Sequence, residues 1–320
     1  MTTLQKQIIL LLQKEGSLSR KTLWKRLGVT AAAMSQNIKT MIDDGFIYED
    51  EEIDLKKVGR KEITLRLDRG HYFFLGIELD DLFIVRSNLE GHCELINNKF
   101  NSLEDIVKYL KSINLNNCLS ISLSKRGFYT IDSLKEKNQI NEIKDLCPNV
   151  YINNNIACLA YAYKYYHEEA TNFMVIKYGP GLGSAAYINN SLLKNENYPT
   201  YEIGKIEVDY QGKTLEDEIS YQALNITSDN ILDKFTKNKD LQEKIISSLA
   251  FAIRNSNTLL QLDSIVISGE LFQNDKNYEL LRNKLSNHSN FNLNKLTTID
   301  NYKTFNKYKS VITGFYLFSK

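Results

Sequence analysis

A glycine-rich loop separates two β-type runs in the stretch IKYGPGLGSAAYI at residues 176–188. Its glycines, Gly179, Gly181 and Gly183, stand at every second position, which leaves the backbone open to close approach by another group. Backbone N–H groups of such a loop can form a cradle for an anion. The loop therefore predicts contact with a nucleotide phosphate or a sugar, or it serves only as a tight turn.

A second group of residues with recognisable chemistry lies on a predicted helix near the N-terminus. Residues 1–40 hold seven Lys or Arg residues against one acid, Glu15, which is a local net charge of +6. Thr30 can cap the helix TAAAMSQNIKTMIDDG, whose apolar residues recur on one face. The opposite face carries small or hydrogen-bonding side chains that suit base edges in a major groove: Ala31, Ala32, Ser35, Gln36 and Lys39.

The elements around this helix predict a winged helix-turn-helix. An apolar stripe over residues 4–12 predicts a first helix ending at Gly16, and Ser19 can cap a short second helix closed by Gly28. Two β-type runs, 46–49 and 62–67, flank a basic tip that can enter an A·T-rich minor groove. The predicted DNA contacts are Arg20, Thr30, Ala32, Ser35, Gln36, Lys39, Gly59, Arg60 and Lys61. The alternative is a protein-binding module with solvated lysines.

The overall composition excludes several other classes of protein. The net charge is +1 over 320 residues, so any nucleic-acid signal is local. No apolar run reaches the ~18 residues of a membrane span and no signal-peptide pattern is found, which predicts a cytoplasmic protein without a membrane partner. The four cysteines form no Cys-x-x-Cys pair and the four histidines are scattered, so the spacing predicts neither a metal site nor a catalytic triad.

Beyond residue 70 the pattern changes to strands and helices in alternation. Three β-type runs, a helix capped by Ser102, a strand at 118–124 and a helix over 155–168 are followed by a similar set that starts at 173–178. This order predicts an α/β fold with two lobes and a ligand cleft between them. The predicted domains are a winged helix-turn-helix at 1–70 and an effector and dimerisation domain at 71–320.

The order of these features resembles the ROK family of repressors and sugar kinases. The matching phrases run along the whole chain: SLSRKTLWKRLGVT, MIDDGFIYE, VGRKEITLRL with FFLGIEL, GPGLG, YEIGKIEVD, TLEDEIS, IVISGEL and VITGFYL. The resemblance is to the repressor branch, in which a winged helix precedes a sugar-kinase-like domain of the actin/hexokinase type. It implies a homodimeric or larger repressor of carbohydrate-related genes that needs no cofactor. Together with the basic wing tip, it predicts binding to an A·T-rich inverted repeat.

The parts that a family kinase needs for phosphoryl transfer are absent from this sequence. The stretch that matches the family's Asp-x-Gly-x-Thr phosphate turn contains neither Gly nor Thr, and it holds the adjacent acids Asp80 and Asp81. Asn153 stands where the family has its catalytic Asp. Because an amide cannot accept the sugar hydroxyl proton, the resemblance implies a protein without catalytic residues.

The family's zinc motif, Glu-x-Gly-His followed by a cysteine-rich loop, is also altered. Here it is Glu202-Ile203-Gly204-Lys205 with no cysteine after it, so no metal is expected. The resemblance implies sugar recognition by Glu202 and Glu216, although each is open to interpretation as a surface Glu. Lys205 would either favour an anionic ligand or form an ion pair that fills the pocket. The implied effector contacts are Asn153, Gly181, Gly183, Glu202, Lys205 and Glu216.

Three functions remain open on the sequence. The first is a DNA-binding regulator that senses a sugar or sugar-phosphate-like effector, the second an active sugar kinase with an appended helical module, and the third a regulator without a small ligand. Two further groups of residues are candidates for contacts with a ligand or a partner. Lys125-Arg126 is a solvated turn or an anion contact, and the tyrosines of one helix are interpreted as a face for a partner subunit: Tyr161, Tyr163, Tyr165 and Tyr166.

Overall fold

The computed structural model describes residues 1–51, 63–96, 99–127, 135–194, 201–287 and 291–320, and the side chain of residue 51 is left out. The predicted wing-tip contacts Gly59, Arg60 and Lys61 lie outside these residues. The chain divides into two compact units. The first unit comprises Met1–Lys125, Leu134–Ile152 and Ser310–Lys320, and the second comprises Arg126–Ser133 and Asn153–Lys309.

The N-terminal part of the first unit is a winged helix. Its elements are α1 (Thr3–Glu15), β1 (Leu18–Ser19), α2 (Arg20–Leu27), α3 (Ala31–Asp43), β2 (Ile47–Glu51) and β3 (Ile63–Leu67). The hydroxyls of Thr2, Ser19 and Thr30 accept backbone N–H groups at the starts of the three helices, which satisfies donors that a helix leaves unpaired. The strands pair antiparallel in the order β1-β3-β2. The sequence prediction is confirmed for these elements.

A five-stranded sheet follows in the first unit. Its strands and helices are β4 (Phe73–Glu78), β5 (Phe83–Asn88), β6 (Cys93–Leu95), α4 (Leu103–Ser112), β7 (Cys118–Lys125), α5 (Lys137–Leu146) and β8 (Val150–Asn154). The strand order is β6-β5-β4-β7-β8, with β4 antiparallel to β5 and parallel to β7. The central strand β4 is buried along its whole length, which is typical of a strand covered on both faces.

The second unit repeats this plan. It contains α6 (Asn155–Tyr166), β9 (Phe173–Tyr178), β10 (Leu182–Ile188), β11 (Ser191–Leu192), α7 (Leu215–Ile219), α8 (Ile231–Lys237), α9 (Lys239–Leu260), β12 (Ser264–Ser268), α10 (Asp275–Ser286) and β13 (Leu296–Thr298). The order β11-β10-β9-β12-β13 again places an antiparallel meander beside a parallel strand. The described helices include none that is long and apolar enough to cross a membrane.

The last helix, α11 (Tyr302–Ser319), supplies residues 310–319 to the first unit and packs there against the sheet with little space. A Cβ on Gly76 would lie 2.3 Å from the Val311 nitrogen. A Cβ on Gly314 would lie 3.0 Å from the Cβ of Ser122. Real Cβ atoms do not approach backbone atoms so closely, so only glycine fits at position 76. The close approach explains why a glycine interrupts the apolar strand β4.

Two interpretations drawn from the sequence need correction. Tyr161 and Tyr163 are buried inside the second unit against Tyr187 and Phe173, so neither belongs to a partner face, whereas Tyr166 is 56% exposed. Lys125 is not a solvated turn residue, because its Nζ lies 3.0 Å from Glu136 and 3.7 Å from Asp80. In both cases the side chain contacts a residue that is far away in the sequence, and sequence periodicity does not reveal such a contact.

We expect Gly76→Ala to lower the free energy of unfolding by about 1–3 kcal/mol, the usual cost of overpacking. Gly70→Ala is the matched control, because the nearest atom to its new Cβ would be 3.7 Å away. The control should change stability by less than about 1 kcal/mol, in either direction. Urea unfolding followed by circular dichroism measures both variants, and equal stability of the two would contradict the packing argument.

Candidate functional site

The DNA-reading face predicted on α3 is exposed. Met34, Ile38 and Met41 are fully buried, and they hold the opposite side of the helix against the core. Position 30 is also exposed, and its hydroxyl accepts the Ala33 N–H at 3.2 Å, which starts the helix. The exposed residues predicted to contact bases therefore lie together on one surface: Ala32, Ser35, Gln36 and Lys39. Small and amide side chains on an exposed helix face suit close approach to a groove.

Ion pairs flank this face. Arg20 donates to Glu49 on β2 at 2.5 Å, and Arg66 lies 2.6 Å from Asp50. These exposed pairs contribute little to stability. They do position the Arg20 guanidinium beside the strand β2. The pairing of Arg20 was missed in the sequence, because Glu49 is 29 positions away.

The winged helix is joined to the first sheet by polar and aromatic contacts. Phe46 and Tyr72 stack with ring centroids 4.0 Å apart, and the Tyr72 hydroxyl donates to the Asp44 carbonyl at 3.0 Å. Burial beside Asp44 raises the pKa of Tyr72, so its hydroxyl stays protonated and can donate. The Gln13 amide donates to the Leu89 carbonyl at 2.8 Å. The α3 surface is therefore held relative to the sheet within this unit.

In the second unit the glycine loop lies against the carboxylate of Glu216. Glu216 Oε1 accepts the Leu182 N–H at 3.2 Å, and a Cβ on Gly181 would lie 2.6 Å from that oxygen. Glu216 Oε2 accepts from Lys205 Nζ at 2.7 Å. The structure thus brings three of the predicted effector residues together: Gly181, Lys205 and Glu216. Within the loop, Gly179 N–H donates to the Gly181 carbonyl at 3.1 Å.

Local structure fixes the position of Glu216. Thr214 and Asp217 form a reciprocal capping box that starts α7, and Leu215 and Ile219 bury the other side of this short helix in the core. Two hydrogen bonds lower the pKa of Asp217. The larger effect comes from the bond that the Thr214 hydroxyl donates, and the smaller from the bond that the Thr214 backbone N–H donates. With the helix anchored on both sides, the Glu216 carboxylate points at the loop.

Lys205 is positioned by a 3₁₀ turn at Ile203–Lys205. The Ser184 hydroxyl accepts the Ile203 N–H at 2.9 Å, and it also donates to the Tyr201 carbonyl. A Cβ on Gly204 would lie 2.2 Å from the Leu182 carbonyl oxygen, so the turn needs glycine there. The hydrogen bond from Lys205 to Glu216 raises the pKa of the ammonium, and the nearby carboxylates of Glu202 and Asp217 add to the effect.

The backbone of the glycine loop is held by a buried aromatic pair. Tyr178 precedes the loop and packs edge-on against Tyr221 at 5.0 Å between ring centroids. The Tyr221 N–H donates to the Gly179 carbonyl at 3.0 Å. Burial raises the pKa of both phenols, so both stay neutral. The charged groups beside the loop are therefore the carboxylates and Lys205.

The remaining predicted effector residues have other surroundings. Gly183 allows close packing, because a Cβ there would lie 2.7 Å from Ile156 Cγ1. Asn153 is partly exposed just before α6. Its neighbour Asn154 caps that helix by accepting the Ile156 N–H at 2.8 Å and donates to the Gly127 carbonyl at 2.8 Å. The capping asparagine was not singled out in the sequence, although Asn before an apolar helix is a usual N-cap signal.

The donor set does not fit a zinc ion. Lys205 stands where the family has histidine, and its protonated amine is committed to Glu216 rather than able to ligate a metal. Across the part of the chain that the structure describes, no group of three or more His, Cys, Asp or Glu residues is placed to hold a metal ion. The four cysteines are free thiols.

A DNA-binding winged helix joined to a two-unit α/β fold defines the class of protein. The sequence profile described as winged helix-turn-helix DNA-binding matches residues 1–48, and the ROK family profile matches residues 137–309. The chain therefore belongs to the ROK family, with a winged helix-turn-helix at its N-terminus. A comparison with curated protein sequences finds no match to the chain.

Solved structures share the fold at low sequence identity. A ROK family transcriptional regulator described as a homologue of the E. coli MLC protein is 18% identical with a TM-score of 0.71, over 94% of this chain and 92% of that one. A ROK family protein from Streptococcus pneumoniae TIGR4 in complex with sucrose is 13% identical with a TM-score of 0.62, over 77% and 97%. The ROK hexokinase of Thermus thermophilus is 11% identical with a TM-score of 0.61, over 75% and 97%.

The Lys205–Glu216 pair predicts a dependence of stability on high pH. Because the pKa of Lys205 is raised in the folded protein, its contribution is present below the ordinary value of 10.5 and is lost as pH rises through the folded value. Lys205→Met should cost less than about 1 kcal/mol near pH 8, since the pair is partly exposed. The difference from the unmodified protein should shrink above pH 10.5. Urea unfolding at several pH values measures this, and Lys213→Met is the control; a difference that does not change with pH would contradict the assignment.

Proposed function

We propose that the protein is a cytoplasmic, sequence-specific transcriptional repressor of carbohydrate-related genes. Its ROK domain would sense a carbohydrate-type effector without catalysing a reaction. The observation that carries this proposal is the exposed α3 face, where Ala32, Ser35, Gln36 and Lys39 lie together opposite a fully buried apolar side. We place the boundary between the DNA-binding domain and the effector and dimerisation domain at residue 70.

On the DNA side, α3 would enter the major groove. The Gln36 amide can pair with both polar groups on an adenine edge, and the neighbouring small side chains let the helix approach closely. Lys39 and Arg20 would meet phosphates, and the Gly59–Lys61 tip would enter an A·T-rich minor groove. A homodimer or higher homo-oligomer would place two such helices on an inverted repeat.

On the effector side, we assign the recognition of sugar hydroxyls to the residues that the family resemblance indicates. Glu202 and Glu216 are the acceptors, and Asn153, Gly181, Gly183 and Lys205 complete the proposed set. Both Glu216 oxygens already accept one hydrogen bond each, and a carboxylate oxygen can accept a second from a hydroxyl. The relative solved with sucrose supports a carbohydrate as the ligand class. Effector binding would shift the population between arrangements with different DNA affinity.

Phosphoryl transfer has little support in the geometry. Asn153 offers an amide where a general base is needed, and the Leu182 N–H that would face a phosphate is directed at Glu216. In the first unit, Asp80 pairs with Lys125 at 3.7 Å at the position of the family's phosphate turn. The alternative function, an active sugar kinase, rests on the fold that this chain shares with the ROK hexokinase of Thermus thermophilus.

We expect the full chain to bind an A·T-rich inverted repeat far more tightly than random DNA, with affinity that falls steeply as salt rises. Gln36→Ala should reduce discrimination at one base pair by about 1–3 kcal/mol. Fluorescence anisotropy with operator variants measures this, and Gln242→Ala on α9, in the second unit, is the control. Equal affinity for the repeat and for random DNA would contradict the proposal, and a uniform loss in Gln36→Ala would reassign that residue to phosphate.

A second prediction concerns catalysis. A coupled assay for ADP release should give no hexose-dependent turnover with ATP, Mg²⁺ and a panel of hexoses, because the general base and the phosphate turn are both replaced. Asn153→Asp alone should also remain inactive, since the stretch at Asp80 and Asp81 still lacks the Gly and Thr of the phosphate turn. Turnover by the unmodified chain that Asn153→Ala abolishes would establish the sugar-kinase alternative instead.

A further inference from the structure

Two of the four cysteines lie side by side in the first unit. Cys118 begins β7, and Cys147 follows α5 at the approach to β8. Two hydrogen bonds hold these segments in register, because the Ile121 N–H donates to the Asn149 carbonyl at 2.9 Å and the Asn149 side-chain amide donates to the Leu119 carbonyl at 2.9 Å. Two cysteines that are 29 positions apart in the sequence are therefore neighbours in the fold.

The two thiol groups are in contact. Cys147 Sγ lies 3.6 Å from the Cys118 carbonyl oxygen, and a hydrogen bond between the thiols changes the pKa of both. Both are free thiols. In a disulfide the sulfurs are about 2.0 Å apart, and side chains that already hydrogen-bond through their sulfurs need only a small shift to reach that distance. The pair is therefore placed to form a cross-link within the folded unit.

We propose that Cys118 and Cys147 are a peroxide-sensitive dithiol that a small peroxide converts to a reversible disulfide within the folded first unit. The oxidant is hydrogen peroxide or a small organic hydroperoxide. The pair includes no residue of the α3 face or of the glycine loop, so the inference does not depend on the proposed function. In a reducing compartment a disulfide of this kind is transient and suits redox sensing.

The surroundings make the two sulfurs chemically different. The hydrogen bond from Cys118 lowers the pKa of Cys147 against the opposing effect of burial, and backbone hydrogen bonds at Asn149 and Ile121 lower it further. The same thiol–thiol bond raises the pKa of Cys118, and burial adds to that rise. Because the thiolate is the nucleophile, Cys147 is the thiol that attacks the peroxide and Cys118 is the thiol that resolves the product.

The oxidation balances with peroxide alone. The Cys147 thiolate attacks one peroxide oxygen, the O–O bond breaks, and hydroxide leaves and takes up a proton to become water. Cys147 is then a sulfenic acid, which condenses with a neighbouring thiol. The Cys118 thiol gives up its proton and attacks the Cys147 sulfur, the S–O bond breaks, and hydroxide leaves as a second water. Two thiols have lost two electrons to one peroxide, and a reducing dithiol reverses the disulfide by exchange.

Access to the pair favours a small oxidant. Cys118 and Cys147 are 5% and 3% exposed, whereas Asn116 and Pro148, close to them in the chain, are exposed. The thiols therefore lie just below the surface, where a molecule little larger than water can approach them. A bulky oxidant such as glutathione disulfide has no such access, so we expect a cross-link between the two cysteines rather than a mixed disulfide.

Peptide mapping of the unmodified full chain tests the proposal. The reduced protein is treated with a small excess of hydrogen peroxide, the remaining thiols are alkylated, and the digest is analysed by mass spectrometry without reduction. We expect a peptide pair joined through Cys118 and Cys147, with Cys93 and Cys158 still alkylated, and recovery of all thiols after dithiothreitol. Cys93→Ser is the matched control, because it removes a more exposed thiol from the same unit and should leave the cross-link unchanged.

A trap for sulfenic acid separates the two roles. In Cys118→Ser, Cys147 has no resolving thiol, and dimedone should label it after peroxide treatment. In Cys147→Ser, Cys118 should be labelled at least about tenfold more slowly, because its thiol is less often ionised. The serine hydroxyl retains a hydrogen-bond donor in both variants, and near-ultraviolet circular dichroism verifies their fold.

Several outcomes would overturn the proposal. They are a folded chain that peroxide leaves without the Cys118–Cys147 cross-link, a cross-link that forms only after unfolding in urea, and preferential oxidation of Cys93 over the pair. Faster labelling of Cys118 than of Cys147 would overturn the assignment of the attacking thiol. If either serine variant does not fold, the peptide map of the unmodified chain decides, since it needs no variant of the pair.

Discussion

The hydrogen bonds of the Glu216 carboxylate join three segments that are far apart in the sequence. The carboxylate connects the backbone of the glycine loop, the 3₁₀ turn at Ile203–Lys205 and the short helix α7. Each segment is also tied to the core of the second unit, through the Gly179–Tyr221 backbone bond, the Ser184 hydroxyl and the buried side chains of α7. The geometry of the candidate effector site depends on this one group, because without it the loop and the turn lose their shared acceptor.

The ROK fold supports both kinases and DNA-binding regulators, so the fold alone does not decide between them. In this chain two positions differ from what the family resemblance implies for a kinase. Asn153 stands where the family has its catalytic Asp, and the Leu182 N–H of the glycine loop donates to Glu216. Lys205 stands at the position of the histidine in the family's zinc motif, and its ion pair with Glu216 links the 3₁₀ turn to α7. An ion pair needs no metal supply, but it is weakened by salt and by high pH.

The winged helix and the first sheet belong to one compact unit. Stacking of Phe46 on Tyr72 and the Gln13 bond to the Leu89 carbonyl hold the α3 face relative to the sheet. The Lys6 ammonium lies 5.1 Å from the ring centroid of Phe318 near the end of α11, so the last helix also contacts α1 of the winged helix within this unit.

Local sequence patterns predict the helices, their caps and the exposed face of α3. Helix caps at Ser19, Thr30 and Ser102 and the apolar period of α3 depend on residues three or four positions apart, and all were predicted. The order of strands and helices, and with it the resemblance to the ROK family, was also available from the sequence because each element has its own pattern.

The partner of each polar side chain depends on tertiary contacts and is seen only in the folded structure. The sequence does not distinguish a Lys205 that binds an anionic ligand from one that forms an ion pair. The structure shows Lys205 Nζ 2.7 Å from Glu216 Oε2. The partners of Arg20 and Lys125, and the burial of Tyr161, were likewise outside the reach of the sequence patterns. These contacts join residues 11 to 45 positions apart, from Lys205–Glu216 to Lys125–Asp80, and chain folding rather than local periodicity brings them together.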